Sequence, residues 1–309
     1  KFVQSGGAFT LSYGSLASFY SGLEGMIGPP SPYLLETMRK EHTESVDSRD
    51  EFAAGNYGTT TTSEIEWWFV VDPEHGLRRL GRAGWPDESK LRASHPERCR
   101  KPTPLVQLGF EMQRLNTALT EMEAEPLIEE ELLATRLYTG PCFLKYNAVL
   151  RAQSEVPFLV EQYRTLCQGN KYVTTLTVIN SCIVKCSKMT EASPVYRGIS
   201  GALLPANFWE KDAYGVKGGV EYAFMSMTRD RAVALEYASS QGDGVGLVFE
   251  VEQGLIDRGA DVSWLSQYPH EKEILFAPLT GLGVHGSRID GNVLCLDLFY
   301  DVHHPRFIT

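Results

Sequence analysis

Val195 marks a change of texture in this 309-residue chain. Before it, apolar residues recur at helical spacing through about 104–122, PLIEEELLATRLYT (126–139), FLKYNAVLRA (143–152), 157–167 and TTLTVINSCIVKCSKM (174–189). After it come short β-type runs separated by glycines and turns: PVYRGIS, YAFMSMT, GVGLVFEVE, EILFAPL and VLCLDLFY. A helical half followed by a strand half predicts an α+β protein rather than a doubly wound α/β sheet.

The residues before 104 are less uniform. SLASFYSGLEGMIG and PYLLETMRKEH have helical spacing, and EIEWWFVVD reads as a buried strand. Residues 72–104 are polar and basic with scattered Pro, Gly and Arg, the composition of an exposed loop or linker. With 43% hydrophobic residues the chain buries a large core, as one big domain or two smaller ones. No apolar run approaches the ~20 residues of a membrane-spanning helix, and the N-terminus lacks the charged start and apolar segment of a secretory signal. The expectation is a soluble chain, and the start at Lys1 rather than Met is what a processed form would show.

A net charge of −10 disfavours nucleic acid as a partner. Six cysteines are too sparse for a disulfide scaffold in a chain of this size. Cys182 and Cys186 share a helix face, but i, i+4 neighbours keep their Cβ atoms about 5–6 Å apart, beyond disulfide range. Two metal ligands can use that spacing, yet no His or further Cys lies close by in sequence, so packing is the simpler reading.

Three features carry chemistry. In YPHEKEILF, Glu271 and Glu273 flank Lys272. If the segment is a strand, both carboxylates project from one face, about 6.6–7 Å apart, while Lys272 points away. Two carboxylates so placed serve two parts of one reaction, as glycosidic chemistry requires, but the same pattern also makes the wet face of an ordinary strand. In PVYRGIS, Arg197 precedes Gly198, an arrangement suited to gripping a phosphate with a guanidinium fork where the backbone is open to approach. A surface ion pair is the plainer use of such an arginine. In YAFMSMTRDRAVALEYA, Ser226 ends a predicted strand and Thr228 reads as the N-cap of the helix that follows. The Ser226 hydroxyl is placed to orient a carboxylate on a neighbouring strand.

The order Arg197, Ser226, then Glu271 and Glu273 resembles that of the arginine-specific mono-ADP-ribosyltransferases, the class with an arginine, a Ser-x-Ser strand and a Glu-x-Glu pair. The resemblance extends to LYTGPCFLKYNAVLR, to the helix leading into VYRG and to EKEILFAPL, and covers about residues 103–300. It departs at Met227 and Thr228, where the family's strand reads Thr and Ser.

The resemblance implies a helical half packed on a split, mainly antiparallel two-sheet β core around an NAD cleft. It also implies a catalytic domain over 103–309 (helical 103–190, β core 191–309), preceded by an extension or cap over 1–102. NAD would be the substrate, with no metal, and the acceptor a protein with an exposed arginine. Arg197 and the Gly198 backbone would hold NAD, and Ser226 would orient Glu273 against the nicotinamide ribose. Glu271 would engage the acceptor, helped by Tyr268 or Trp264 from the turn WLSQYPH. The same residues would also serve an NAD glycohydrolase, and a non-catalytic NAD-binding module of this fold is the alternative from another class.

Overall fold

A computed structural model describes residues 22–51, 61–80, 98–200, 204–211, 215–239, 246–254 and 258–300. These form an α+β protein whose contacts divide it into two units. Of the described residues, the helical unit takes 22–185 with Val262–His270, and the sheet unit takes Cys186–Asp261 with 271–300. The described helices before residue 102 thus fall in the same unit as those from 104 to 185.

In the helical unit, α1 (Leu34–Thr43), α2 (Ser63–Val71) and α3 (Pro73–Leu80) precede α4 (Leu105–Glu121), α5 (Glu129–Leu137), α6 (Phe143–Arg151), α7 (Pro157–Cys167) and α8 (Val173–Ser187). The predicted helices from 104 to 189 match α4 to α8 within a few residues. The predicted strand EIEWWFVVD is instead helix α2. Thr62 caps it by accepting from the Ile65 amide at 3.2 Å, Glu64 and Glu66 fill its first turn, and Pro73 follows its end. Glu66, Trp67, Phe69 and Val70 are all buried. A helix buried on most sides loses the 3.6-residue alternation that distinguishes it from a buried strand. Of the predicted linker, 73–80 is helix α3, and residues 81–97 lie outside the described residues.

The sheet unit holds β1 (Val195–Ile199), β2 (Gly218–Glu221), β3 (Met225–Thr228), α9 (Arg231–Ala238), β4 (Gly246–Val251), β5 (Ala260–Asp261), β6 (Glu273–Phe276), β7 (Thr280–Asp290) and β8 (Val293–Tyr300). The expected pair of sheets is one continuous eight-stranded sheet, in the order β2-β7-β8-β4-β1-β3-β6-β5. Only β4 and β8 pair in parallel, so its mainly antiparallel character is as expected. The β1–β3 ladder that makes the sheet continuous is marked by a single partner pair, Tyr196 with Thr228. On one face, Val195, Met225, Met227, Phe249, Ile274, Phe276 and Leu298 form the main core. Helix α9 lays Ala234 and Ala238 against Val248, Val293 and Cys295 in a second cluster. All six cysteines are buried, and none is in a disulfide.

Candidate active site

β3 and β6 run antiparallel with Ser226 opposite Leu275 and Thr228 opposite Glu273. Strand alternation sends Met225, Met227, Ile274 and Phe276 into the main core, which puts Ser226, Thr228 and Glu273 on the other face. There Glu273 is 5% exposed, with the Ser226 side chain close enough to its carboxyl to favour the ionised form. From the neighbouring β1, Arg197 Nη1 donates to the Ser226 carbonyl at 3.1 Å. Four of the sequence-predicted residues, Arg197, Ser226, Glu271 and Glu273, thus meet in the sheet unit.

Their electrostatics are strained in a useful direction. Burial first, and then the nearby Glu271 charge, push the Glu273 carboxyl from its ordinary 4.5 up to about 8. The Ser226 side chain and the Arg197 guanidinium work against that shift. Burial also raises Glu271, opposed by a hydrogen bond from Tyr237. Two carboxyls that share a site and are both raised form a coupled pair, in which Glu273 can hold or release a proton near pH 8.

Glu271 is not on the strand, which corrects the pleated Glu-Lys-Glu picture. Pro269–Glu271 is a 3-10 turn, Lys272 has φ +47°, and β6 begins only at Glu273. The turn is clasped from the start of α9. Thr228 Oγ1 donates to the Glu271 carbonyl at 2.6 Å and accepts from the Asp230 amide at 2.9 Å. Lys272 Nζ pairs with Asp230 at 3.0 Å. The two carboxylates are set by a left-handed residue and these tethers, not by a period of two.

The same contacts correct the expected cap. Asp230, not Thr228, is the N-cap of α9, its carboxylate accepting from the Ala232 amide at 3.1 Å. The Thr228 hydroxyl is spent on the turn that carries Glu271 instead. Tyr237 was missed in the sequence. Its hydroxyl donates to Glu271 Oε1 at 2.7 Å. The available signal was the spacing in RDRAVALEYA, where Tyr237 lies one turn after Ala234 on the helix surface.

Gly198 pairs with Val248 on β4, and a Cβ there would run into the carbonyl oxygen of Ala234. Glycine at 198 is thus required by the seat of α9 on the sheet. Trp264 and Tyr268 belong to the helical unit. Tyr268 is buried with its ring edge-on to His270, and the Trp264 indole Nε1 is buried with no hydrogen-bond partner among the described residues. Their loop is held through Gln267, whose amide donates to Thr139 Oγ1 at 3.1 Å and whose carbonyl accepts from the Lys101 amide at 2.8 Å.

No protein-family model matches the chain, and no curated protein matches it. Solved structures similar to it include ADP-ribosyltransferases. HopU1 of Pseudomonas syringae pv. tomato DC3000 is 20% identical over 64% of this chain and 88% of its own, with a TM-score of 0.47. The Vis toxin of Vibrio splendidus is 19% identical over 64% and 84%, with a TM-score of 0.44. Exoenzyme S from Pseudomonas aeruginosa, in a complex with human 14-3-3 protein beta and carba-NAD, is 21% identical over 62% and 82%, with a TM-score of 0.41. At these identities and scores the functional reading rests on the side chains of the site.

Proposed function

We propose that this protein transfers ADP-ribose from NAD to an arginine side chain of a protein acceptor, releasing nicotinamide. The observation that carries the reading is Glu273, a buried carboxyl with no ion-pair partner among the described residues, held by Ser226 beside Arg197 and Glu271. The donor set suits NAD: a guanidinium for the anionic or ribose portion, and a desolvated carboxylate for a sugar that becomes cationic.

In the reaction the bond between the ribose C1′ and the pyridinium nitrogen breaks, and its electron pair leaves with neutral nicotinamide. No general acid is needed for that departure. Glu273, as the carboxylate, stabilises the charge developing on the ribose, and Ser226 keeps it aimed. A guanidinium nitrogen of the acceptor forms the new bond to C1′ and loses a proton. Glu271 pairs with the guanidinium and accepts that proton, since a group with a pKa above about 12 is a poor nucleophile while protonated. Arg197 and the Gly198 backbone hold NAD, and Trp264 and Tyr268 are assigned to acceptor recognition. Residues 103–309 carry the catalysis, and the residues up to 102 support it by packing.

Incubation with NAD, with and without agmatine, followed by chromatography, tests the reading. Nicotinamide release with an ADP-ribosyl-agmatine adduct is expected. Release with no adduct makes the protein an NAD glycohydrolase, and no release under any condition removes the catalytic reading.

A further inference from the structure

The segment from the end of β3 through α9 touches the turn of Glu271 at several points, and among the described residues one of these contacts reaches the carboxylate itself. Thr228 and the Lys272–Asp230 pair hold the backbone and the flanking residue of the turn. The Arg229 amide approaches the Lys272 carbonyl at 3.4 Å and adds to the same hold. Tyr237, near the far end of α9, donates its hydroxyl to Glu271 Oε1 at 2.7 Å. The tyrosine is itself fixed, because its helix neighbours Ala234 and Ala238 are buried against the sheet, where Gly198 admits them.

We propose that Tyr237 is a positioning residue: its hydroxyl fixes the Glu271 carboxylate and thereby sets how turnover divides between arginine modification and hydrolysis of NAD. This rests on the reading of Glu271 as the acceptor-side carboxylate. A carboxylate offers about four lone-pair directions on two oxygens. With one direction on Oε1 taken by Tyr237, the carboxylate stops rotating and Oε2 is left to receive a guanidinium N–H. A hydrogen bond to an ionised group also favours the ionised form, the form that pairs with arginine and takes its proton. Attack by water has no cation to orient and depends less on this contact.

The groups that act on Glu271 are few. Glu273 lies on β6, Tyr237 on α9, and the Lys272–Asp230 pair spans the turn and the helix start, with His270 preceding Glu271 in the chain. Tyr237 alone among them donates to the Glu271 carboxylate in the described residues.

The test is Tyr237→Phe, which keeps the ring and removes the hydroxyl. Nicotinamide release and agmatine adduct are measured in the same samples across the neutral and alkaline range. A hydrogen bond to a charged group predicts roughly a tenfold fall in the ratio of adduct to hydrolysis. The ascending limb of adduct formation moves to higher pH, while nicotinamide release without agmatine stays within a few fold. In a Glu271→Gln background the same change adds no further loss, because Tyr237 acts through that carboxylate. If wild type forms adduct but Tyr237→Phe leaves both the ratio and the limb unchanged, this inference fails alone. If wild type releases no nicotinamide, it falls together with the reading it rests on. Should Tyr237→Phe fold poorly, Tyr237→His, which can keep a donor on the ring, replaces it: an unchanged ratio with a donor present supports the inference, and a collapsed ratio in a folded protein overturns it.

Discussion

The two units bury carboxylates in opposite ways. In the helical unit each fully buried acid has a cation: Asp47 pairs with Lys145 at 3.1 Å, Glu131 with Lys185 at 2.8 Å, and Glu66 with Arg100. Neutral donors complete the shells, as when the Tyr172 hydroxyl and the Asn170 amide bond Asp47 at 2.7 and 2.9 Å. Glu41 is used up differently, accepting from the Thr174 and Thr175 amides at the start of α8. In the sheet unit Glu273 is just as buried, yet it has a serine hydroxyl and a second carboxylate as neighbours, with Arg197 acting through space. A buried charge with its partner built in is part of the packing, whereas one without a partner is costly to keep. In the proposed reaction the missing cationic partner is the ribose as charge develops on it.

The largest effect that tests this contrast lies in the helical unit. Lys145→Ala leaves Asp47 charged and uncompensated and is expected to lower stability by roughly 3–5 kcal/mol. Chemical denaturation reads it, and a loss below ~1 kcal/mol breaks the contrast from that side. Next is Glu273→Ala, expected to cut nicotinamide release by ~10²–10³ or more. Release near the wild-type rate removes Glu273 from the chemistry.

The same residue has a stability signature of opposite sign to that of Lys145. Its folded value of about 8 lies above the ordinary 4.5, so the folded state holds the extra proton between those values. The stability this gives is complete below pH 4.5 and is lost as pH rises through 8. Glu273→Gln, neutral throughout, is therefore expected to melt higher than wild type above pH 8 and alike in acid. A lower melting temperature at alkaline pH shows instead that the carboxylate is well accommodated.

The smallest change sharpens the division between the two glutamates. Glu271→Gln is expected to lose arginine modification while keeping much of the hydrolysis of NAD. Nicotinamide release in wild type should rise as pH passes about 8, when Glu273 ionises. Removing the Glu271 charge should move that limb to lower pH, and a limb that stays in place means the two carboxyls are not coupled.

Most of the fold was legible because most of its elements carry their own signal. Helices α4 to α8 show the apolar spacing of one buried face, and β3, β4 and β8 are short apolar runs bounded by turns. β7 was missed because TGLGVHGSRID is interrupted by glycines and is held as a strand by its pairing with β8. Helix α2 was misread because its apolar run is buried on too many sides to show a period. The Glu271 turn was misread because nothing local marks Lys272 for a left-handed conformation. The tethers from Thr228 and Asp230 impose it.

By itself the sequence determined the α+β class, the order of Arg197, Ser226, Glu271 and Glu273, and the presence of two carboxyls one residue apart. Each of these follows from residue type and local period. Only the tertiary structure decided that Glu273 is buried with no ion-pair partner among the described residues, that Glu271 sits on a turn tethered by Thr228 and Asp230, and that Tyr237 bonds the Glu271 carboxylate. Those are facts about partners 34 and 47 residues away, Tyr237 to Glu271 and Ser226 to Glu273. Burial and charge pairing are properties of the surroundings of a residue, and the chain supplies those surroundings only after it has folded.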